Sequence, residues 1–226
     1  MFGLGLCGLL IDLDLDRTRQ DAGAAISQKH SPFTARRAIF FRENIIEGVP
    51  IICDGWAASV LRLSKGRRQI LSILLPGDMV AGRLLFEPQL QVSIDAITNG
   101  SYRTFDRSQL RSAMAASTKV FDKLLSAYND ERNRADQLIA DLGRRTASER
   151  IARLLLDIWN RLEKAGKVED DSVEFPLRQT HIADATGLTT VYVSKVINAF
   201  RNDGLAEVTD RSLKILDIEK LRHIAA

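Results

Sequence analysis

The sequence predicts an α+β chain in three parts: an N-terminal antiparallel β-roll, a long helix and a C-terminal winged helix-turn-helix. Three observations carry this reading. Short β-branched and aromatic runs broken by glycine turns fill residues 36–106. Ser108–Leu142 then contains neither proline nor glycine. Between Leu177 and Phe200 the residues follow the steric grammar of two short helices meeting at a fixed angle. The expected divisions are a poorly ordered leader over residues 1–30, the roll over 31–107, a dimerisation helix over 108–142 and the DNA-binding module over 143–226.

The roll is read from runs at Ala38–Phe41, Val49–Ile52, Ala57–Leu63, Gln69–Leu75 and Gln91–Ile97. Glu47-Gly48, Asp54-Gly55, Lys65-Gly66 and Pro76-Gly77-Asp78 mark turns between them. Regular short strands at this spacing predict a small antiparallel roll or barrel. The long helix carries Val120, Leu124, Ala127, Tyr128, Ala135, Leu138 and Leu142 near heptad spacing, and Gly143 is expected to end it. Such a stripe either packs on its own domain or forms a seam between two chains. A lone helix leaving a domain needs a partner to bury its stripe, which favours a homodimer seam of Leu124, Tyr128, Ala135, Leu138 and Leu142. Thr146–Ala165 reads as a second amphipathic helix, stopped by Gly166.

In the helix-turn-helix, Ile182 is expected in the core, and Ala183 is small because the second helix crosses over it. Gly187 sits at the turn, where a positive φ is wanted. Leu188 fills the angle between the helices, and Val193 and Val196 bury the second helix's inner face. Thr189 is the expected N-cap. A generic amphipathic helix needs no small, glycine and capping residues at those offsets. Leu205–Val208 and Leu213–Leu216 add a hairpin, which makes the module winged. The exposed face then presents Thr190, Val191, Ser194, Lys195 and Asn198, with Thr189 at its start. Lys195 suits guanine O6 or N7, or a phosphate; Ser194 and Thr190 suit either kind of group. Val191 has no hydrogen-bonding atom, so its specific partner would be a thymine methyl. Arg178, Gln179 and His181, at the start of the first helix, are expected on the phosphate backbone. The plainer alternative is that all of these are ordinary exposed residues.

Composition sets bounds on function. The chain has 226 residues, 45% apolar and 27% charged, ordinary for a soluble globular protein. Its net charge of +3 says little, since residues 143–226 hold 14 Lys and Arg against 13 Asp and Glu. Local placement therefore has to carry any nucleic-acid claim. Cys7 and Cys53 lie far apart without Cys-x-x-Cys spacing, which excludes a thiolate metal cage within one chain and suits a reducing cytoplasm. The apolar run Met1–Ile11 is too short to span a bilayer and lacks the marks of a secretion signal, so a cytoplasmic protein without membrane contact is expected. No nucleophile–base pair, metal-ligand cluster or phosphate loop stands in a workable context, so no enzyme is expected.

The order of roll, long helix and winged module resembles the CRP/FNR family of bacterial transcription regulators. The residues carrying the resemblance are Phe40–Glu43, Asp54–Ala57, Gly66–Leu71, Leu75–Asp78 and Gly187–Phe200. Gly-Trp-Ala, Gly-Arg-Arg-Gln-Ile-Leu and Leu-Pro-Gly-Asp in combination are similar to FNR/FixK-like regulators of α-proteobacteria. The resemblance implies a cyclic-nucleotide-binding-like roll and a homodimer that binds palindromic double-stranded DNA and recruits or blocks RNA polymerase.

The departures narrow it further. Nucleotide-binding members use a Gly-Glu segment for the ribose and an Arg-Ser pair for the cyclic phosphate. Here Arg83 follows Gly82 in place of the acidic residue, and Leu90-Gln91 stand in place of Arg-Ser. Leu90 supplies no charge-assisted partner, so Gly82, Arg83, Leu90 and Gln91 read as a degenerate effector pocket and cAMP is not expected. Cys7 and Cys53 cannot make the family's iron–sulfur ligand set alone, and His30 would be a lone haem ligand in a leader, so neither cofactor is expected. The family often has Glu and Arg where this chain has Val191 and Lys195. Losing the Glu removes an acceptor for a cytosine amine, and Lys loses the bidentate fork. The half-site is thus expected to differ from the family's TGA-type sequence. Two readings stay open: a regulator whose roll carries no signal, or a sensor of a small molecule other than cAMP.

Overall fold

A computed structural model describes residues 28–209 and 211–226. The chain forms two compact units. Among the described residues, one groups 28–66 with 71–135 and the other groups 67–70 with 136–226.

The first unit is built on β1 (Gln28–Phe33), β2 (Ala38–Phe40), β3 (Val49–Asp54), β4 (Ala57–Arg62), β5 (Arg68–Leu74), β6 (Ser93–Ala96) and β7 (Gly100–Phe105). They form two sheets, ordered β1-β7-β3 and β2-β6-β4-β5. The core between them holds Ile51, Ile52, Leu84, Leu85, Leu90, Ile94 and Phe105. The expected leader is shorter than residues 1–30, because β1 pairs with β7 from Gln28↔Phe105 onward. His30 stands opposite Arg103 in that ladder and is exposed, so it belongs to a strand. Cys7 and the remaining expectations for residues 1–27 lie outside the described residues.

The helical stretch expected over 108–142 is two helices, α1 (Arg107–Ala116) and α2 (Thr118–Arg144). Ser117 is extended (φ −142°, ψ 112°), and its hydroxyl accepts from the Val120 N–H at 3.4 Å. A serine that bonds its local backbone competes with the helix, and here it breaks it. Asp106 caps α1 by accepting from the Gln109 N–H at 2.9 Å. At the other end Gly143 is helical. The stop comes after Arg144, where Thr146 opens α3 (Ala147–Lys164) with a capping box. Its hydroxyl accepts from the Glu149 N–H at 3.4 Å while the Glu149 carboxylate accepts from the Thr146 N–H at 2.9 Å.

After α3 the second unit continues with β8 (Ser172–Glu174), α4 (Gln179–Thr186), α5 (Thr190–Asn202), β9 (Ala206–Val208), β10 (Ser212–Ile215) and α6 (Ile218–Ala225). The wing has three strands, ordered β8-β10-β9. β8 is too short to announce itself in sequence, yet its Val173 is buried and pairs with Leu213. Ile151, Leu155, Ile158, Phe175, Ile182, Val193 and Leu221 fill the core beneath. Among the described residues, no helix is long and apolar enough to cross a membrane.

Candidate nucleic-acid interface

The α4–turn–α5 scaffold has the geometry its sequence asks for. Gly187 ends α4 at φ 68°, ψ 29°, a left-handed conformation that favours glycine. A Cβ there would also meet Leu142 Cδ2 at 2.9 Å, so that side chain would have to shift. Ile182 and Val193 are fully buried, and Ala183 lies in the crossing. The Thr189 hydroxyl caps α5 by accepting from the Tyr192 N–H at 3.3 Å. Arg150, which the sequence reading passed over, fixes the module from behind. Its guanidinium donates to the carbonyls of Arg145 (2.9 Å), Leu142 (3.1 Å) and Thr186 (3.2 Å). It thus satisfies carbonyls at the C-terminal ends of both α2 and α4, groups with no intrahelical partner. No local pattern marks an arginine for this task; only the meeting of two helix ends does.

The outward face of α5 presents Thr190, Val191, Lys195 and Asn198, with Val191 79% exposed and Ser194 half-buried beside them. Thr189, Arg178 and Gln179 are exposed at the neighbouring ends. Tyr192 and Arg201 are also exposed and were missed. Tyr192 sits one residue before a buried valine in a β-branched run and reads as core, whereas α5 turns it outward. The Arg201 guanidinium donates to Asn198 Oδ1 at 3.1 Å. His181 is a correction. It is half-buried, and its Nδ1 accepts from the Arg178 N–H at 3.1 Å, so it closes the start of α4 instead of facing outward. Burial, with guanidinium neighbours, pushes its pKa below the usual imidazole value.

The four effector residues do not converge. Leu90 is fully buried in the roll's core, with its N–H on the Asn44 carbonyl at 3.1 Å, so it lines no pocket. Arg83 is ion-paired to Glu87, and Gln91 is exposed. Gly82 opens a 3-10 turn (Gly82–Leu85), and its N–H donates to the Glu131 carboxylate of α2 at 2.6 Å. A cyclic nucleotide needs a cation for its phosphate and a free acceptor for its ribose hydroxyl. The cation here is matched by Glu87, the phosphate-pair position is core leucine, and Arg83 stands where an acidic acceptor would be. The residues present do not fit a cyclic nucleotide.

The apolar stripe of α2 also differs from the expected seam. Leu124 is fully buried in the roll's own core, and Leu138 and Leu142 are half-buried, with Leu142 against the Gly187 turn. Exposed instead are Phe121, Leu125, Tyr128, Ala135 and Ile139, the last at 70%. Their spacing of four, three, seven and four residues keeps a heptad frame. Both frames contain Tyr128 and Ala135, so spacing alone does not choose between them. Leu124 is taken by the roll's core and is not part of the exposed stripe.

Comparison with known proteins places both units. The cyclic nucleotide-binding domain family matches residues 31–117, and the Crp-like helix-turn-helix domain family matches residues 149–224. The nitrogen fixation regulation protein FixK of Rhizobium meliloti is 32% identical over 165 residues, covering 72% of this chain and 71% of that protein. The transcriptional activatory protein AadR of Rhodopseudomonas palustris is 25% identical over 224 residues, covering 99% and 90%. The solved structure of FixK2 from Bradyrhizobium japonicum aligns with a TM-score of 0.78 at 27% identity, covering 89% of this chain and 98% of that one. With both units matched in the order the fold presents them, the chain is a DNA-binding transcription regulator, not an enzyme, and belongs to the CRP/FNR family.

Proposed function

We propose that the chain works as a homodimer that reads two half-sites related by a two-fold axis in double-stranded DNA, needs no small-molecule signal to do so, and engages RNA polymerase there from the cytoplasm. The observation that carries this is the first turns of α5. An intact helix-turn-helix holds Thr190, Val191, Ser194 and Lys195 at the end that enters a major groove in such modules. Val191 and Tyr192 add exposed apolar area beside Lys195, which favours a half-site pairing a thymine methyl with a guanine. The exposed heptad stripe of α2 supports the dimer, because a two-fold protein matches a two-fold site. Activation is favoured over repression by the likeness to AadR, a transcriptional activatory protein, and to the transcriptional activator FnrL of Cereibacter sphaeroides.

Selection from random double-stranded DNA by the purified full chain, without added ligand, tests the reading. An enriched two-fold palindrome is the expected result. Enrichment of a lone half-site, or none, overturns it.

A further inference from the structure

A family-matched roll whose effector residues do not converge raises the question of what holds it in place of a ligand. Gly82 and Glu131 answer it within the first unit. The Gly82 N–H lies at the head of the turn where nucleotide-binding relatives hold a ribose, and it donates to Glu131 Oε2 at 2.6 Å. Glu131 comes from α2, three residues beyond Tyr128. The approach is close on both sides: a Cβ on Gly82 would meet Tyr128 Cδ2 at 2.6 Å and Glu131 Oε2 at 2.8 Å. A side chain at position 82 would force Tyr128 and Glu131 to shift. Burial of the Glu131 carboxyl raises its pKa, partly opposed by the Gly82 N–H and by Arg134, with Asp78 adding to the rise. A carboxylate held against its own desolvation has to be held by partners.

We propose that Glu131 is the roll's resident occupant, a carboxylate of the chain itself taking the backbone donor of Gly82 and fastening α2 to the 82–85 turn in place of an effector. The same helix carries the exposed stripe Phe121, Leu125, Tyr128 and Ile139, so the clasp sets where that stripe is presented. This inference deepens the ligand-independent reading above and rests on it for its effect on DNA binding. The clasp itself stands on the roll's geometry alone.

Two measurements on the full-length protein keep these apart: hydrogen exchange at the Gly82 amide, and affinity for the selected palindrome without ligand. Two variants approach the clasp from opposite sides. Glu131→Ala removes the acceptor, and Gly82→Ala pushes the helix away. Glu131→Gln keeps an acceptor without charge and serves if either alanine variant fails to fold. Loss of one charged hydrogen bond predicts exchange at Gly82 faster by roughly tenfold or more, with a similar loss of DNA affinity. Glu131→Gln is expected to fall between wild type and Glu131→Ala in both, and formate at constant ionic strength is expected to restore part of the affinity of Glu131→Ala. Unchanged exchange at Gly82 overturns the clasp. Faster exchange with unchanged DNA affinity overturns its role in presenting the stripe. Wild-type protein that binds DNA only with added ligand overturns the ligand-independent reading, and the exchange arm still decides the clasp.

Discussion

In the helix-turn-helix the side chains that set geometry point inward, and Thr190, Val191, Lys195 and Asn198 are left facing solvent. In the roll three of the four expected effector residues are taken up by the chain itself. Gly82 is bonded to Glu131, Arg83 is paired with Glu87, and Leu90 is buried in the core. Both units keep a shared scaffold, and they differ in which way the variable residues turn. A surface that must meet DNA leaves its polar groups outward. In the roll, Gly82 and Leu90 are buried, while Arg83 is half-buried with its Glu87 partner at the surface and Gln91 is exposed.

The largest effect is expected at the helix that follows the roll. Ile139→Glu places a charge in the exposed stripe without touching either core. It is expected to halve the mass in solution and to weaken palindrome binding by about 100-fold or more, since two half-sites would no longer be engaged together. An unchanged mass breaks the account of α2. Leu124→Glu is the contrast: it buries a charge in the roll and is expected to unfold that unit. Next in size, Lys195→Ala is expected to cost about 1–3 kcal/mol on the selected site if it reads a guanine edge. An equal loss on random DNA would make Lys195 a phosphate contact and move specificity to its neighbours.

The smallest effect is expected at His181 in the helix-turn-helix. His181 is held neutral by burial, so its folded pKa lies below its unfolded one. Its contribution is present above the usual imidazole pKa and is lost as pH falls from there toward the depressed folded value. Thermal melts between about pH 7 and pH 5 are expected to show this loss in wild type and a shallower slope in His181→Gln. Parallel slopes would mean that the Arg178–His181 closure contributes nothing.

The helix-turn-helix was legible in sequence because its requirements are local. Gly187, Ala183 and Thr189 are each demanded by their immediate neighbours, and each stands where expected. The strand runs of the roll were legible for the same reason. What was not legible depends on distant partners. Leu124 and Ile139 occupy rival heptad frames that differ only in which one the roll's core claims. Glu131 lies in a polar stretch of α2 that reads as solvated until Gly82, 49 residues away, is brought to it. Arg150 and Tyr192 follow the same rule, the first meeting helix ends from afar and the second turned out of a run that reads as buried.

Independence from cyclic nucleotide is read from the affinity of the purified protein for its selected palindrome at fixed salt, with and without saturating cAMP. Superimposable binding curves are predicted, because Leu90 is buried in the core, Arg83 is ion-paired to Glu87 and the Gly82 N–H donates to Glu131. A midpoint that moves with cAMP would contradict the account.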